Sequence, residues 1–328
     1  MTIPRLLILG AGGQVGAALV REVGRESAIT VDHQMGLGIQ YAVDLSNSST
    51  CSSQLEELFS LIRPDVVVNA AGMTWVDGCE ANPDLAIRIN CSAAREIALQ
   101  SRRFGAANVY FSTEYVFDGA GGPYSETDDT HPVSVYGRTK LDGEREILAV
   151  DPSALIIRTT VVYGPETLGK NFAYQLLTAL AAGTPMPVPS DQISSPTYNA
   201  DLAAIAVALV RERVSGICNV VGPEIMDRAT FARRLARAIG GAEDLIQPVT
   251  TTALAQRAPR PLQAGLRIDR LRSVLPHCVL RTPEEAMAHW RSSQWGKPWP
   301  GLFLQASQPC CAPDVQSLRP FDSTGGML

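Results

Sequence analysis

Short, unbroken apolar runs alternate with stretches of helical spacing through the first half of the chain. Arg5-Leu6-Leu7-Ile8-Leu9 is continuous rather than alternating, the pattern of a strand covered on both faces of a parallel sheet. Ala28-Ile29-Thr30-Val31, Asp65-Val66-Val67-Val68-Asn69, Asn108 to Ser112 and Ala154 to Arg158 repeat the pattern. Helices are expected after Gly16, from about Ser52 to Ile62, from about Pro83 to Phe104 and from about Val135 to Val150. Strand and helix in strict alternation predict an α/β fold with a doubly wound, parallel, Rossmann-type sheet.

After Gly164 the character changes. A helix around Phe172 to Ala182, a proline-rich stretch from Pro185 to Pro196, a short strand at Gly216 to Val221 and an amphipathic run from Thr230 to Ile239 are too irregular to extend the sheet simply. They predict a second, smaller, partly interleaved α+β domain. The expected division is 1–165 with 195–222 for a dinucleotide-binding domain and 166–194 with 223–300 for a substrate domain. Residues 301–328 are polar and rich in Pro, Gly and Ser, and are expected to be disordered. Internal repeats are absent.

Bulk properties narrow the classes. The 328 residues carry a net charge of −5 with no basic stripe, which argues against nucleic acid as a partner. The longest apolar run, Leu202 to Val210, is far too short to span a bilayer, and the N-terminus enters a strand without the pattern of a signal peptide. Seven cysteines without a C-x2-C pair suggest neither zinc nor a disulfide framework. A cytoplasmic protein without membrane contact is expected.

The first strand runs into Gly10-Ala11-Gly12-Gly13-Gln14-Val15-Gly16 and then a helix start, the setting a dinucleotide pyrophosphate requires. Gly10 permits the tight turn, Gly13 admits the phosphates, and Gly16 allows close helix–strand packing, with the helix N-terminus facing the anion. Asp32, 22 residues after Gly10, stands where a ribose 2′-hydroxyl would be hydrogen-bonded. No Arg or Lys follows until Arg63, which favours NADH over NADPH; the other reading is a loop Asp at a strand end. Asp44 and Leu45 could border an adenine, or Asp44 could serve as a cap. Ala70-Ala71-Gly72 are small enough for a flat ligand to lie against the backbone.

Tyr136 and Lys140 are four apart, on one face of the expected helix. An ammonium beside a phenol favours phenolate and is expected to lower the Tyr pKa from about 10. Thr113 ends a strand, where its hydroxyl could bond a substrate carbonyl. The bland alternative is a Tyr/Lys pair on a wet surface. Met73 to Glu80 reads as a loop at a strand's C-terminal end, so Asp77 and Glu80 are either functional or caps for the helix near Pro83.

Four elements occur in one order: the glycine motif, Asn69-Ala-Ala-Gly, Ser112-Thr-Glu-Tyr-Val-Phe-Asp-Gly and Tyr136-x3-Lys140. With V-D-G-C-E (76–80), D-Q-I-S-S-P-T (191–197) and Arg260-Pro261, they resemble the dTDP-4-dehydrorhamnose reductase family of extended short-chain dehydrogenases/reductases. The resemblance covers about Leu6 to Trp290. It implies that Tyr136 gives a proton to a C4 ketone oxygen while a nicotinamide delivers hydride, that Lys140 holds the nicotinamide ribose, and that Thr113 polarises the carbonyl. It implies that Glu114 and Tyr115 border the sugar and that Gln192 and Arg260 contact the nucleotide sugar, an Arg fork being suited to diphosphate. Some family members use magnesium at a subunit contact; no ligand cluster here demands one, and a homodimer is left open.

Three departures touch the sugar pocket. Glu114 replaces a usual Asp, Val161 a common Trp, and Ala264 a usual Ser. Tyr115 stands where the related dehydratases carry a second acid, which favours reduction over dehydration. Two rivals remain: a non-catalytic docking subunit resembling the β subunit of methionine adenosyltransferase, and a reductase of a different nucleotide sugar.

Overall fold

The chain is described here as a computed structural model, covering residues 5–293 and 296. Strands β1 (Leu6–Leu9), β2 (Ala28–Asp32), β3 (Tyr41–Ala42), β4 (Val66–Asn69), β5 (Ala107–Thr113) and β6 (Leu155–Thr159) join Gly216–Asn219 in one seven-stranded sheet. Every neighbouring pair is parallel, and the spatial order is 216–219, β6, β5, β4, β1, β2, β3. The connections diverge between β1 and β4, and α/β sheets bind ligands at such a crevice.

The helices are α1 (Gln14–Val23), α2 (Cys51–Ile62), α3 (Val76–Ala81), α4 (Pro83–Ile87), α5 (Ala93–Phe104), α6 (Val135–Val150), α7 (Phe172–Ala181), α8 (Asn199–Arg211) and α9 (Arg228–Ala238), followed by two more before residue 293. Successive strand side chains point to opposite faces. Leu6 and Ile8 therefore pack with Val66, Val68, Val109 and Ile157 against Leu19 of α1 and Leu202, Ile205 and Leu209 of α8. Leu7, Leu9 and Val67 pack on the other face against Leu55, Phe59 and Ile97. Burial on both sides is why these strands read as continuous apolar runs.

A separate core lies beyond the sheet. Tyr163, Tyr174, Leu177, Phe231, Leu235 and Trp290 meet there, with small strand pairs at Met186–Pro189/Ile246–Val249 and Ile193–Ser194/Met226–Asp227. The stretch between them returns to the first body: Thr197–Tyr198 pairs with Val162–Tyr163, α8 covers the sheet, and Gly216–Asn219 adds its outermost strand beside β6.

The structure corrects several readings. Part of the irregular second half does extend the sheet, through Gly216–Asn219. Met73 to Glu80 is not all loop, because Val76–Ala81 is helical. The helix expected from Pro83 to Phe104 is interrupted by a π-helical turn at Arg88–Ser92. The amphipathic helix begins at Arg228, where Asp227 accepts from the Thr230 N–H at 2.9 Å. The tail expected at 301–328 lies outside the described residues. Among the described residues no helix is long and apolar enough to cross a membrane, and no cluster of His, Cys, Asp or Glu could hold a metal ion.

Candidate active site

The glycine loop forms the floor of a cavity of about 630 Å³ lined by Gly10, Gly12, Gly13, Asp32, Asp44, Leu45, Ala70, Ala71 and Gly72. Gly10 has φ +76°, and a Cβ there would sit 2.6 Å from the Ala71 nitrogen. A Cβ on Gly16 would strike the Gly10 carbonyl oxygen. The start of α1 has no side-chain cap and no acid in its first turn, so its N–H groups are left for an anion. The Gln14 Nε2 is buried without an acceptor among the described residues. A dinucleotide fits this cradle. Val15 packs against the sheet core, so its side chain is not presented to the cavity.

Asp32 ends β2 and accepts the Gly12 N–H at 2.9 Å and the His33 N–H at 2.7 Å, which ties the carboxylate to the glycine loop. Asp44 does not cap a helix. Its carboxylate accepts the Ser46 N–H and hydroxyl, at 2.9 and 2.6 Å, which shapes the cavity's rim and lowers its pKa.

Past Gly72, at the edge of the cavity, Lys140 of α6 links the cavity to β5. Ser134 caps α6, accepting from the Gly137 N–H at 3.2 Å, and Glu80 accepts the Val135 N–H at 2.7 Å. The buried Lys140 donates to the Phe111 carbonyl at 2.6 Å, lies 3.9 Å from the Tyr110 ring centroid, and would be 3.8 Å from a Cβ on Gly72. Burial brings its pKa down to about 7, with the Glu144 carboxylate opposing. Tyr136 is buried, with the Tyr115 ring edge-on at 5.3 Å.

The expected lowering of the Tyr136 pKa is corrected. Burial, and then the nearby Glu114 carboxyl, push the phenol well above the ordinary tyrosine value, while the neighbouring Thr113 hydroxyl pulls the other way. A phenol so held keeps its proton at neutral pH, as a proton donor must.

Thr113 is brought to Tyr136, but its hydroxyl is already engaged, donating to Glu114 Oε2 at 2.8 Å. The second Glu114 oxygen accepts from Thr160 at 2.6 Å. Burial raises the Glu114 pKa, opposed by these two bonds. Val161, at the position where Trp is common, has φ +42°, a conformation strained for a β-branched residue.

Asp77 and Glu80 do not cap the helix at Pro83. Asp77 accepts from Arg260 Nη2 at 3.0 Å and from the Ala258 N–H at 2.9 Å, a contact between the two halves of the chain. Gln192 donates to Thr251 and Gln256 at 3.0 and 3.2 Å, so its amide is engaged within the smaller body. Its neighbour Ile193 takes Leu262 and Ala264 into a local ladder, which sets D-Q-I-S-S-P-T beside Arg260-Pro261.

Two residues near the site escape local sequence reading. Asn90, on the π-helical turn, bonds the Met73 N–H and carbonyl and the Thr139 hydroxyl at 2.8, 3.1 and 3.1 Å. Its only sequence signal is a polar residue inside an apolar helix. Arg228, facing Tyr115 and Glu114 from the first turn of α9, looks in sequence like an ordinary helix start.

Residues 4–290 match the family model described as the RmlD substrate binding domain. The chain belongs to this family. It is 33% identical over 298 residues to a dTDP-4-dehydrorhamnose reductase of Mycobacterium tuberculosis, covering 88% of this chain and 90% of that one. It is 35% identical over 293 residues to a spore coat polysaccharide biosynthesis protein of Bacillus subtilis, covering 88% and 95%. A crystal structure of dTDP-4-dehydrorhamnose reductase from Bacillus anthracis in complex with NADP superposes with a TM-score of 0.78 at 29% identity, covering 88% of this chain and 99% of that one.

Proposed function

We propose that the chain is an NAD(P)H-dependent reductase of the C4 ketone of a nucleotide-linked 4-keto-6-deoxy sugar, converting dTDP-4-dehydrorhamnose to dTDP-L-rhamnose. The observation that carries this reading is one continuous order of groups. The glycine cradle leads along Ala70-Ala71-Gly72 to Lys140, and beyond it stand Tyr136, Thr113 and Glu114.

The cofactor, when bound, supplies hydride to C4. Gly10, Gly13, Gly16 and the N–H groups of α1 hold its pyrophosphate, and Asp32 takes the adenosine ribose. Lys140, beside Gly72, holds the nicotinamide ribose. Tyr136 gives its proton to the ketone oxygen, so one hydride and one proton make the alcohol. Thr113 turns its hydroxyl from Glu114 to that oxygen as negative charge develops there. Asp32 without a nearby Lys tilts the choice toward NADH, and the NADP complex of the Bacillus anthracis relative keeps NADPH in the test.

The two cores divide the labour on this reading: the sheet binds cofactor, and the body built on Tyr163, Tyr174 and Phe231 binds the sugar nucleotide. The protein works in the cytoplasm with no nucleic-acid partner, and a homodimer is checked by light scattering. The longer acid at 114 and the strained Val161 favour one second reading, a reductase of a different nucleotide sugar. A substrate panel of dTDP- and UDP-linked 4-keto sugars, followed by loss of reduced-nicotinamide absorbance, separates the two. Binding of nucleotides with no turnover on any member contradicts both and supports a docking subunit.

A further inference from the structure

Several arginines in this fold are held by carboxylates, and others, such as Arg270, by backbone carbonyls. Arg158 is paired with Glu144, Arg234 with Glu224 and Glu284, and Arg281 with Asp201. Arg228 has none within ion-pair distance among the described residues. Its backbone N–H donates to the Gln192 carbonyl at 3.0 Å and its guanidinium lies 5.0 Å from the Phe172 ring centroid. Its Nε is out of contact with water and has no acceptor. A cation–π contact does not replace the hydrogen bond that a guanidinium N–H loses on leaving water. That N–H is left for an acceptor such as an anionic ligand.

The groups around it specify where that anion lies. Tyr115, Glu114 and Arg260 are the polar groups within electrostatic reach of Arg228. Arg260 is a second cation with a buried orphan: Nη2 is held by Asp77, and Nη1 has no acceptor. Both arginines lie within electrostatic reach of the Tyr115 phenol, and each carries one buried N–H without an acceptor among the described residues. Asp77 balances one of the two charges. The Glu114 carboxylate is already occupied by the Thr113 and Thr160 hydroxyls, at 2.8 and 2.6 Å, and makes no ion pair with Arg228.

We propose that Arg228 and Arg260 form a two-guanidinium clamp for the diphosphate of a sugar nucleotide, with Arg228 on the side of Glu114 and the sugar. The new element is Arg228, and the proposal rests on the sugar-nucleotide reading of the same cleft. The clamp draws on both halves of the chain. Arg260 is anchored to Asp77 of α3, and Arg228 stands on α9 over Phe172 of α7. A diphosphate carries charge for both forks and, through planar N–H pairs, uses donors that have no partner here.

The test measures binding rather than turnover, using the full chain with dTDP, dTMP and NADH titrated separately into the wild type and Arg228→Gln. The clamp predicts that dTDP binds the wild type and that Arg228→Gln weakens it about 10- to 100-fold, with dTMP changed far less. Unchanged NADH affinity shows that the variant is folded, and Arg228→Lys should restore dTDP binding only in part. Equal dTDP affinity in wild type and Arg228→Gln overturns the clamp, as does equal loss of dTDP and dTMP. A wild type that binds dTDP through Arg228 but reduces no keto sugar leaves the clamp standing and removes the proposed reaction instead.

Discussion

The ammonium of Lys140 donates to the carbonyl oxygen of Phe111 at 2.6 Å, which fixes the catalytic-face end of α6 to the end of β5. The same contact holds the ammonium in a dry site against the Tyr110 ring.

That burial has a pH signature. Lys140 is lowered from 10.5 to about 7, so between these values the unfolded chain binds more protons than the folded one. Its contribution to stability is present above the unfolded value and is lost as pH falls through about 7. Urea midpoints across this range should rise with pH in the wild type more steeply than in Lys140→Met. Parallel profiles would show that the ammonium is not desolvated.

Glu114 titrates with the opposite sign. Its pKa is raised by burial, so its contribution is present below the unfolded carboxylate value and lost as pH rises through the folded one. Glu114→Gln should flatten the stability profile over that window. Glu114→Ala should cost about 1–3 kcal/mol, because the Thr113 and Thr160 hydroxyls lose a buried partner. Denaturant titration of the two variants distinguishes charge from hydrogen bonding.

Arg158 and Glu144 form a bidentate pair at 3.0 and 2.7 Å, each side chain 2% exposed, between β6 and α6. Removing one partner leaves a buried charge, so Arg158→Met or Glu144→Leu alone should destabilise by about 3–5 kcal/mol. The double variant should recover much of that loss. Additive losses in a double-mutant cycle would contradict the coupling.

A methyl group on Gly16 meets the Gly10 carbonyl oxygen and backbone of Ala11, neither of which can move independently of β1. Gly16→Ala should weaken cofactor binding by at least about tenfold, while a Gly121→Ala control, in open space and without a positive φ, should leave it unchanged. Fluorescence titration with NADH reads both.

The parts of this fold and site that were legible in the sequence are those fixed by near neighbours. The doubly buried strands read as apolar runs, α6 runs from Val135 to Val150 as its pattern implies, and the Gly10–Gly16 cradle is a local turn. The parts that were not legible depend on distant residues. Asp77 meets Arg260 183 positions on, and Glu80 caps α6 across 55, so the sequence leaves both acids between a functional role and a cap for the helix beside them. The direction of the Tyr136 shift was misread for a similar reason. Spacing reveals the lysine four residues away, but the burial and the Glu114 carboxyl that raise the phenol come from the fold.

The most direct test of the account is Tyr136→Phe, which removes one hydroxyl and leaves the ring packed against Tyr115. With dTDP-4-dehydrorhamnose and NADH or NADPH, turnover should fall by about 10²–10⁴-fold, with cofactor affinity unchanged. Turnover equal to the wild type would contradict a proton delivered from this phenol, and with it the site's assigned chemistry.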